Sequence, residues 1–204
     1  MILHKVTWER YDSNSYVLAF NGVVIIIDSN CELLAYLKVN NIIPDYLFAT
    51  HEHFDHIEGI GNIKNAYPNM KVYAAKSASE MFSDETCNMS FFFEGQNVSE
   101  PKADIEIIEN SVFNIADKNI ECYLTPGHTH GCMIIKIDNM LFSGDTILNN
   151  IKTPKNTPNS SKEKLIESLD FIDTYFADDI IIYPGHGEKF YKRDWNKAVS
   201  LGKK

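Results

Sequence analysis

Residues 50–56 read T-H-E-H-F-D-H and place four side chains of metal-binding type within six positions. The stretch directly follows an apolar run that is typical of a β-strand. Side chains two apart in an extended chain share a face, so His51 and His53 can bind one ion. Asp55 and His56 follow as the chain turns and can face a second ion. Packed without an ion, three imidazoles would repel one another once protonated, so we interpret this stretch as part of a metal site.

Three further candidate ligands follow apolar runs elsewhere in the chain. His128 lies in T-P-G-H-T-H-G, Asp145 in F-S-G-D-T and His186 in Y-P-G-H-G. Each run ends in a glycine-containing turn, and glycine permits backbone angles that can aim the next side chain at a shared point. Pro-Gly marks many turns, but two Pro-Gly-His sequences in one chain favour a common site.

The seven candidate ligands can be divided between two ions. The first ion would be held by His51, His53 and His128, the second by Asp55, His56 and His186, and Asp145 would bridge them. Each ion would then have three or four protein ligands and room for water. Such open coordination is typical of a catalytic metal site rather than a structural one.

The order of these motifs resembles a known family. H-x-H-x-D-H, P-G-H-T-x-G, S-G-D-T and P-G-H-G occur in the order found in the metallo-β-lactamase fold superfamily, and the chain is most similar to its glyoxalase II-like hydrolases. The resemblance covers residues 14–188. It implies an α/β fold, a four-layer αββα sandwich of two mixed β-sheets with the site along one edge. The length of 204 residues favours a single domain over residues 1–204.

Some residues depart from particular branches of that superfamily. Asp145 stands where the best-known subclass of true β-lactamases has a cysteine, and His53 stands where flavodiiron proteins have a glutamate, so the pattern argues against both. His130 replaces the proline of P-G-H-T-P-G, and Cys132, either a reactive thiol or a small buried residue, follows it. The tail over residues 188–204 is too short for the glutathione-binding helical region of glyoxalase II, which argues against glutathione thioesters.

The resemblance implies an enzyme, a metal-dependent hydrolase in which a metal-bridging hydroxide attacks a carbonyl carbon. We expect a thioester substrate, because a thiolate leaves without a proton, and we expect Asp55 to orient the hydroxide. The cofactors would be two divalent metal ions, with zinc expected and iron or manganese open, since imidazole and carboxylate serve all three. An iron-dependent persulfide dioxygenase, with iron on His51, His128 and Asp145, and a lactonase of the same fold are the alternatives. A non-catalytic binding domain is a third class, which the complete ligand set disfavours.

Composition limits the partners and the compartment. The net charge is −9 and no basic run is present, which disfavours nucleic acid as a partner. No apolar stretch is long enough for a membrane span or a signal peptide. The four cysteines form no C-x-x-C pair, so we expect no disulfide framework and a cytoplasmic location. The expected partner is a small-molecule or carrier-bound acyl substrate, and the oligomeric state stays open.

Apolar patterns predict the surrounding elements. Asn21-Gly22 between two β-type runs predicts a hairpin. Residues 57–67 are expected to form one helix that begins at the ligand cluster, and residues 162–176 a second helix capped by Ser160 or Ser161. Residues 180–183 are expected to be the last strand of the sheet.

A polar segment, Thr86–Pro101, contains the adjacent aromatic residues Phe91, Phe92 and Phe93. Three consecutive aromatic side chains cannot all face one core from a strand, so at least one is expected to face a cleft or a partner. We interpret them as candidate substrate-binding residues in a lid or wall, with plain packing as the alternative. Lys152 and Lys155, in a loop rich in Pro, Asn and Ser, could reach an anionic substrate or be solvated surface residues.

Overall fold

The computed structural model describes residues 1–93, 95 and 97–202, and within these its strands form two six-stranded sheets. The first sheet contains, in spatial order, β1 (Ile2–Trp8), β2 (Ser13–Phe20), β3 (Val23–Ile27), β4 (Tyr46–Ala49), β5 (Lys71–Ala75) and β6 (Ile105–Ile107). The second contains β7 (Ser111–Ile115), β8 (Lys118–Leu124), β9 (Met133–Ile137), β10 (Met140–Gly144), β11 (Ile181–Pro184) and β12 (Phe190–Tyr191), also in that order. The helices are α1 (Leu33–Val39), α2 (Phe54–Ile57), α3 (Ile60–Ala66), α4 (Lys76–Met81), α5 (Lys162–Tyr175) and α6 (Lys197–Ser200).

Both sheets are mixed. In the first sheet, β1, β2 and β3 pair antiparallel and β3 to β6 pair parallel. In the second, β7 to β10 pair antiparallel, β10 and β11 pair parallel, and β12 is antiparallel to β11. The parallel pairs need crossover connections, and helices supply most of them.

Side-chain alternation along β9 separates the layers. Met133 and Ile135 belong to the core that the two sheets share, whereas Ile134 belongs to a second core with Leu165 and Leu169 of α5. Successive strand residues point to opposite faces, so one face of this sheet meets the other sheet and the opposite face meets a helix. Full burial of one large apolar side chain stabilises the folded state by about 1.5–3 kcal/mol. The predicted αββα sandwich is confirmed.

The element boundaries mostly agree with the sequence patterns. Asn21 and Gly22, with φ of 49° and 80°, form the predicted tight hairpin between β2 and β3. Ser161 is the helix cap of the two serines considered, because its Oγ accepts a hydrogen bond from the Lys164 backbone N–H at 3.3 Å.

Two expectations about the elements were wrong, and one strand was not predicted. The single helix predicted over residues 57–67 is two helices, α2 and α3, because Gly59 adopts φ +92°, a left-handed conformation that interrupts the helical hydrogen bonds. The strand β1 was not predicted, and it is only partly buried, which weakens its apolar pattern. The second sheet continues past β11, since β12 pairs with it. In the described part of the chain, no helix is long and apolar enough to cross a bilayer.

Strand direction explains why the ligand loops meet. Strands β3 and β4 run parallel, and β8, β10 and β11 share one direction in the other sheet. The segments that carry the seven candidate ligands follow β4, β8, β10 and β11, and Asp55 and His56 lie in the short helix α2. Hydrogen bonds join the sheets at this edge: the Asn14 backbone N–H donates to the Gly185 carbonyl at 2.7 Å, and the Met133 backbone N–H donates to the Thr50 carbonyl at 2.8 Å. Carboxyl ends of strands are the usual place for a functional site.

Candidate metal centre

All seven predicted ligands lie together at this edge, in two groups. The buried group contains His51, His53, His128 and Asp145, the outer group contains Asp55, His56 and His186, and the candidate ligand atoms within each group lie within 4.8 Å of one another. Asp145 also reaches the outer group, with its Oδ1 3.5 Å from His56 Nε2 and its Oδ2 3.3 Å from His186 Nε2. The grouping matches the division inferred from the sequence, and the role of these residues as ligands stays a prediction.

Three candidate ligand atoms in the buried group lack a hydrogen bond within the described part of the chain. His51 Nε2, His53 Nε2 and Asp145 Oδ1 are buried and make no hydrogen bond to any described residue. Buried polar atoms are normally paired, and leaving one unpaired costs about 1–3 kcal/mol. Imidazole nitrogens and carboxylate oxygens are the donor atoms that zinc, iron and manganese accept. The residues therefore fit a site for divalent metal ions.

In three of the histidines, a hydrogen bond to the protein fixes the ring nitrogen Nδ1. His128 Nδ1–H donates to the Pro154 carbonyl at 2.7 Å, and His186 Nδ1–H donates to the Tyr11 carbonyl at 3.0 Å. His56 Nδ1–H donates to Asp28 Oδ2 at 3.0 Å. A proton fixed on Nδ1 leaves Nε2 as the ring nitrogen that can bind an ion, and the hydrogen bond sets the orientation of the ring.

Asp28, directly after β3, supports the ligand loop, and no role was predicted for it. It is buried and accepts hydrogen bonds from the Thr50 backbone N–H at 2.6 Å and from Thr50 Oγ1 at 2.8 Å, besides the one from His56. Burial raises the pKa of Asp28, against the effect of these hydrogen bonds. The sequence signal was present, since an isolated carboxylate ends the apolar run V-V-I-I-I-D.

Gly185 permits the close approach of the loops. A Cβ atom at this position would lie 2.3 Å from Asp145 Oδ1 and 2.7 Å from His56 Cε1. Both distances are shorter than van der Waals contact, so a larger residue would displace candidate ligands. The glycine of this Pro-Gly-His turn is therefore required for space.

Before an ion binds, the two groups differ in protonation. Burial, reinforced by the neighbouring imidazoles, lowers the pKa of His51 and His53 well below the ordinary value. Burial also lowers the pKa of His128. These three imidazoles are therefore neutral at pH 7, the form that binds a metal.

The outer histidines behave in the opposite way. Burial opposes the charge of His56, but Asp55, Asp145 and Asp28 outweigh it and raise its pKa to about 9. For His186, burial is outweighed mainly by Asp145 and Asp55, and its pKa rises to about 10. These two imidazoles hold a proton that an incoming ion must displace.

Glu52, between two candidate ligands, points away from them into a separate polar cluster. It is fully buried, its Oε2 accepts a hydrogen bond from Thr129 Oγ1 at 2.8 Å, and its Oε1 accepts one from Asn159 Nδ2 at 3.4 Å. Burial raises the pKa of Glu52. The side chain thus ties the ligand loop to the loop that carries His128. Strand alternation places Glu52 on the face opposite His51 and His53, but the sequence did not identify the partners of Glu52.

A cavity of about 270 Å³ opens onto the site. Five candidate ligands line it, namely His53, Asp55, His128, Asp145 and His186. The other side consists largely of Tyr11, Phe54, Met89 and Phe93, which we call the apolar wall. A wider groove of about 630 Å³ lies between β1 and α1, and none of the candidate ligands lines it.

The three consecutive phenylalanines have different environments. Phe93 lines the cavity, Phe92 lines a neighbouring groove with Met89 and Thr157, and Phe91, 59% exposed, lines neither. The structure thus brings one of the three predicted substrate-binding residues to the site. Glu94 and Gln96 of the predicted lid segment lie outside the described residues, as do Lys203 and Lys204 of the predicted domain.

His130 and Cys132, the two residues singled out near the second histidine motif, do not line the cavity. His130 is exposed, and its carbonyl accepts a hydrogen bond from Ser77 Oγ at 3.2 Å. Cys132 is 2% exposed, and burial raises its pKa to about 12, so it is a buried neutral thiol. The four cysteines, all within the described residues, are unpaired.

Several known proteins are similar to this chain in sequence or in fold. The model of the metallo-beta-lactamase superfamily matches residues 8–186. A probable metallo-hydrolase of Bacillus subtilis, YqgX, is 24% identical over 180 residues, which are 86% of this chain and 85% of YqgX. A hydroxyacylglutathione hydrolase of Francisella tularensis subsp. novicida is 28% identical over 175 residues, 84% of this chain but 61% of that enzyme. The crystal structure of the B3 metallo-beta-lactamase BLEG-1 has a TM-score of 0.87 at 21% identity, covering 98% of this chain and all of that one.

Proposed function

This chain belongs to the metallo-beta-lactamase superfamily, and on that premise we propose that it is a dinuclear metal-dependent hydrolase that cleaves thioesters. The observation that carries the proposal is the pair of ligand groups joined at Asp145, with buried donor atoms that lack partners among the described residues. Zinc is the metal we propose, since imidazole-rich sites suit it. Two bound divalent ions would lower the pKa of a water molecule and polarise the substrate carbonyl.

Asp55 is the residue we propose to orient the attacking water. It lines the cavity, its side chain is 12% exposed, and its Oδ2 lies 3.4 Å from the Nε2 atoms of both His56 and His186. A carboxylate in this position can accept a hydrogen bond from water and direct an oxygen lone pair toward a carbonyl carbon in the cavity. The hydrogen bonds on Nδ1 of His56 and His186 hold both rings while this happens.

The cavity supports a thioester rather than an amide. A thiolate, with an ordinary pKa of about 8.5, leaves without a proton, whereas an amine or alkoxide needs one from a general acid. With the imidazoles and carboxylates of the cavity bound to metal, Tyr11 and Thr157 are its remaining described side chains with an exchangeable proton. Phenols and alcohols are much weaker acids than an imidazolium or a carboxylic acid.

The outer group distinguishes this proposal from a persulfide dioxygenase. Iron on His51, His128 and Asp145 would leave Asp55, His56 and His186 without a role, although they too lie within bonding reach of a common ion. Two complete groups therefore favour two ions and hydrolysis.

The proposal is tested on purified protein with its metal content measured. We expect close to two metal ions per chain and turnover of simple thioesters above that of lactones and β-lactams. One iron per chain with oxygen consumption on a persulfide would replace the hydrolase by the dioxygenase. Full metal occupancy with no turnover of any ester or thioester would support a binding domain instead.

Asp55→Ala is the first variant to test. Loss of a positioned carboxylate that handles the nucleophile lowers kcat by about 10²–10⁴-fold. Circular dichroism is expected to be unchanged, because the side chain contacts the site and the cavity rather than the core. Asp179→Ala, in an exposed turn before β11, is the control and keeps normal rates. Near-normal turnover in Asp55→Ala would remove Asp55 from the mechanism.

A further inference from the structure

We infer that the acyl group of the substrate is uncharged and apolar, and that it binds against the apolar wall. The inference rests on the proposed function, because it concerns the substrate of the same site. It is carried by the side chains that line the cavity, by the positions of the nearest cationic groups, and by the size of the cavity.

The apolar wall is a packed aromatic surface. The ring centroids of Tyr11 and Phe54 are 5.0 Å apart, those of Phe54 and Phe93 are 5.3 Å apart, and those of Tyr11 and Phe93 are 5.8 Å apart. Trp8 lies behind them, 4.6 Å from Tyr11 and 6.2 Å from Phe54. Rings packed at steep angles hold one another in place, so the wall offers a preformed apolar surface beside the candidate ligands.

The lysine and arginine side chains near the site do not line the cavity. Its described lining contains no lysine or arginine. Arg10 lies over the Tyr11 ring at 5.4 Å but lines the groove between β1 and α1 instead. Lys155 Nζ donates to the Leu201 carbonyl at 2.8 Å, and Lys152 lies against Gly202, so both lysines contact the C-terminal residues. Apart from the histidines that are candidate metal ligands, an anionic acyl group would find no basic side chain in the described lining to pair with it, and it would lose its hydration against the aromatic wall.

Charge and size favour the same class. The net charge of −9 disfavours the approach of anions. The cavity, about 270 Å³, lies below the roughly 300–1,000 Å³ of sites for drug-sized ligands. A short or medium aliphatic or aromatic acyl chain fits this space, with the carbonyl carbon near Asp55 and the chain on the wall.

The test uses thioesters of one uncharged thiol, N-acetylcysteamine, carrying acetyl, butyryl and succinyl groups. Burial of each methylene favours the longer chain by about fourfold. Butyryl has two more methylenes than acetyl, so its kcat/KM is expected to be higher by about fifteenfold. Succinyl has as many carbons as butyryl but ends in a carboxylate, and its kcat/KM is expected to be at least about tenfold lower than that of butyryl. Equal or better turnover of succinyl overturns the inference and leaves the proposed hydrolase standing.

The adjacent phenylalanines provide matched variants. Phe93→Ala opens the wall and is expected to reduce the butyryl-to-acetyl ratio severalfold. Phe91→Ala removes the same side chain two positions away, outside the cavity, and is expected to keep the wild-type ratio. Equal ratios in the two variants would contradict the role of the wall.

A binding measurement decides the inference even if no thioester is turned over. Trp8 packs behind the wall and also lines the groove between β1 and α1, whereas Trp195 packs with the α5 core. Fluorescence of the Trp195→Phe protein therefore reports on both spaces, and a response that Phe93→Ala weakens in this background belongs to the cavity, because Phe93 lines the cavity and not that groove. Hexanamide is expected to change this fluorescence saturably, and succinamate, an anionic amide, is not. No response to hexanamide, or an equal response to succinamate, overturns the inference, whereas absent turnover with normal hexanamide binding contradicts only the proposed function.

Discussion

The buried group and the outer group of candidate ligands use the same two side-chain types but differ in charge. In the buried group, three imidazoles share the single carboxylate Asp145. In the outer group, two imidazoles are contacted by Asp28, Asp55 and Asp145. The number of carboxylates per imidazole, rather than burial alone, therefore decides whether a histidine is neutral or holds a proton.

The different protonation of the two groups affects metal uptake. Neutral imidazoles bind an ion without releasing protons, whereas charged ones must lose theirs first. The buried group is therefore ready at neutral pH, and we expect it to be filled before the outer group. Asp145 contacts histidines of both groups, with its Oδ2 3.6 Å from His128 Nε2 and 3.3 Å from His186 Nε2.

Asp145→Asn is expected to have the largest effect, because it removes the carboxylate that contacts histidines of both groups. We expect the variant to hold less than one metal ion per chain and to lose more than about 10²-fold in kcat/KM, beyond the roughly 10–100-fold that loss of an outer hydrogen-bonding partner costs. Elemental analysis and thioester turnover measure both effects. Asp138→Asn changes an exposed carboxylate in the β9–β10 turn and serves as the control. Two ions per chain in Asp145→Asn would show that the groups are independent.

Asp28→Asn is expected to affect the outer group alone, because the candidate ligand that Asp28 contacts directly is His56. Losing the carboxylate that holds the His56 ring is expected to weaken the second ion by about 10–100-fold and to leave the first ion nearly unchanged. Stepwise titration with a chelator resolves the two affinities. Asp45→Asn is the control. It also removes a carboxylate that accepts a backbone hydrogen bond, from Val24 at 2.8 Å, but Asp45 lies away from the site. A similar loss of both ions would mean that Asp28 acts on the whole ligand loop through Thr50.

The sequence was sufficient for the parts that depend on local period. His51 and His53 share a face because strand residues alternate, and the β2–β3 hairpin follows from Asn21-Gly22. The candidate ligands that follow strands of the second sheet meet at one edge because β8, β10 and β11 share one direction. These relations need only neighbours in sequence and the general rules of sheet packing.

The parts that depend on distant partners could not be read in the same way. Asp28 acquires its role from His56, and Glu52 acquires its own from Thr129, 77 positions away. The break between α2 and α3 depends on the conformation of Gly59, whose residue type permits a helix as well as a left-handed turn. Among the phenylalanines, only tertiary packing distinguishes Phe93 from its neighbours.

The pH dependence of metal binding is the finest test of the difference between the groups. His56 and His186, with pKa values of about 9 and about 10, hold protons that the second ion must displace. The affinity for that ion is therefore expected to rise with pH up to these values, by about tenfold per pH unit for each proton released. The pKa values of His51, His53 and His128 lie below the ordinary one, so the affinity for the first ion is expected to change little between pH 7.5 and 8.5.

Calorimetry in two buffers of different ionisation enthalpy counts the protons directly, and chelator competition at pH 7.5 and 8.5 measures the slopes. Proton release on the second binding step alone is the expected result. Because His56 Nε2 and His186 Nε2 lie 3.3 Å apart, they release one proton if they share it and two if each holds its own, besides the proton lost by a metal-bound water. Equal release in both steps would mean that the carboxylates do not separate the two groups electrostatically, and the order of filling inferred from them would be wrong.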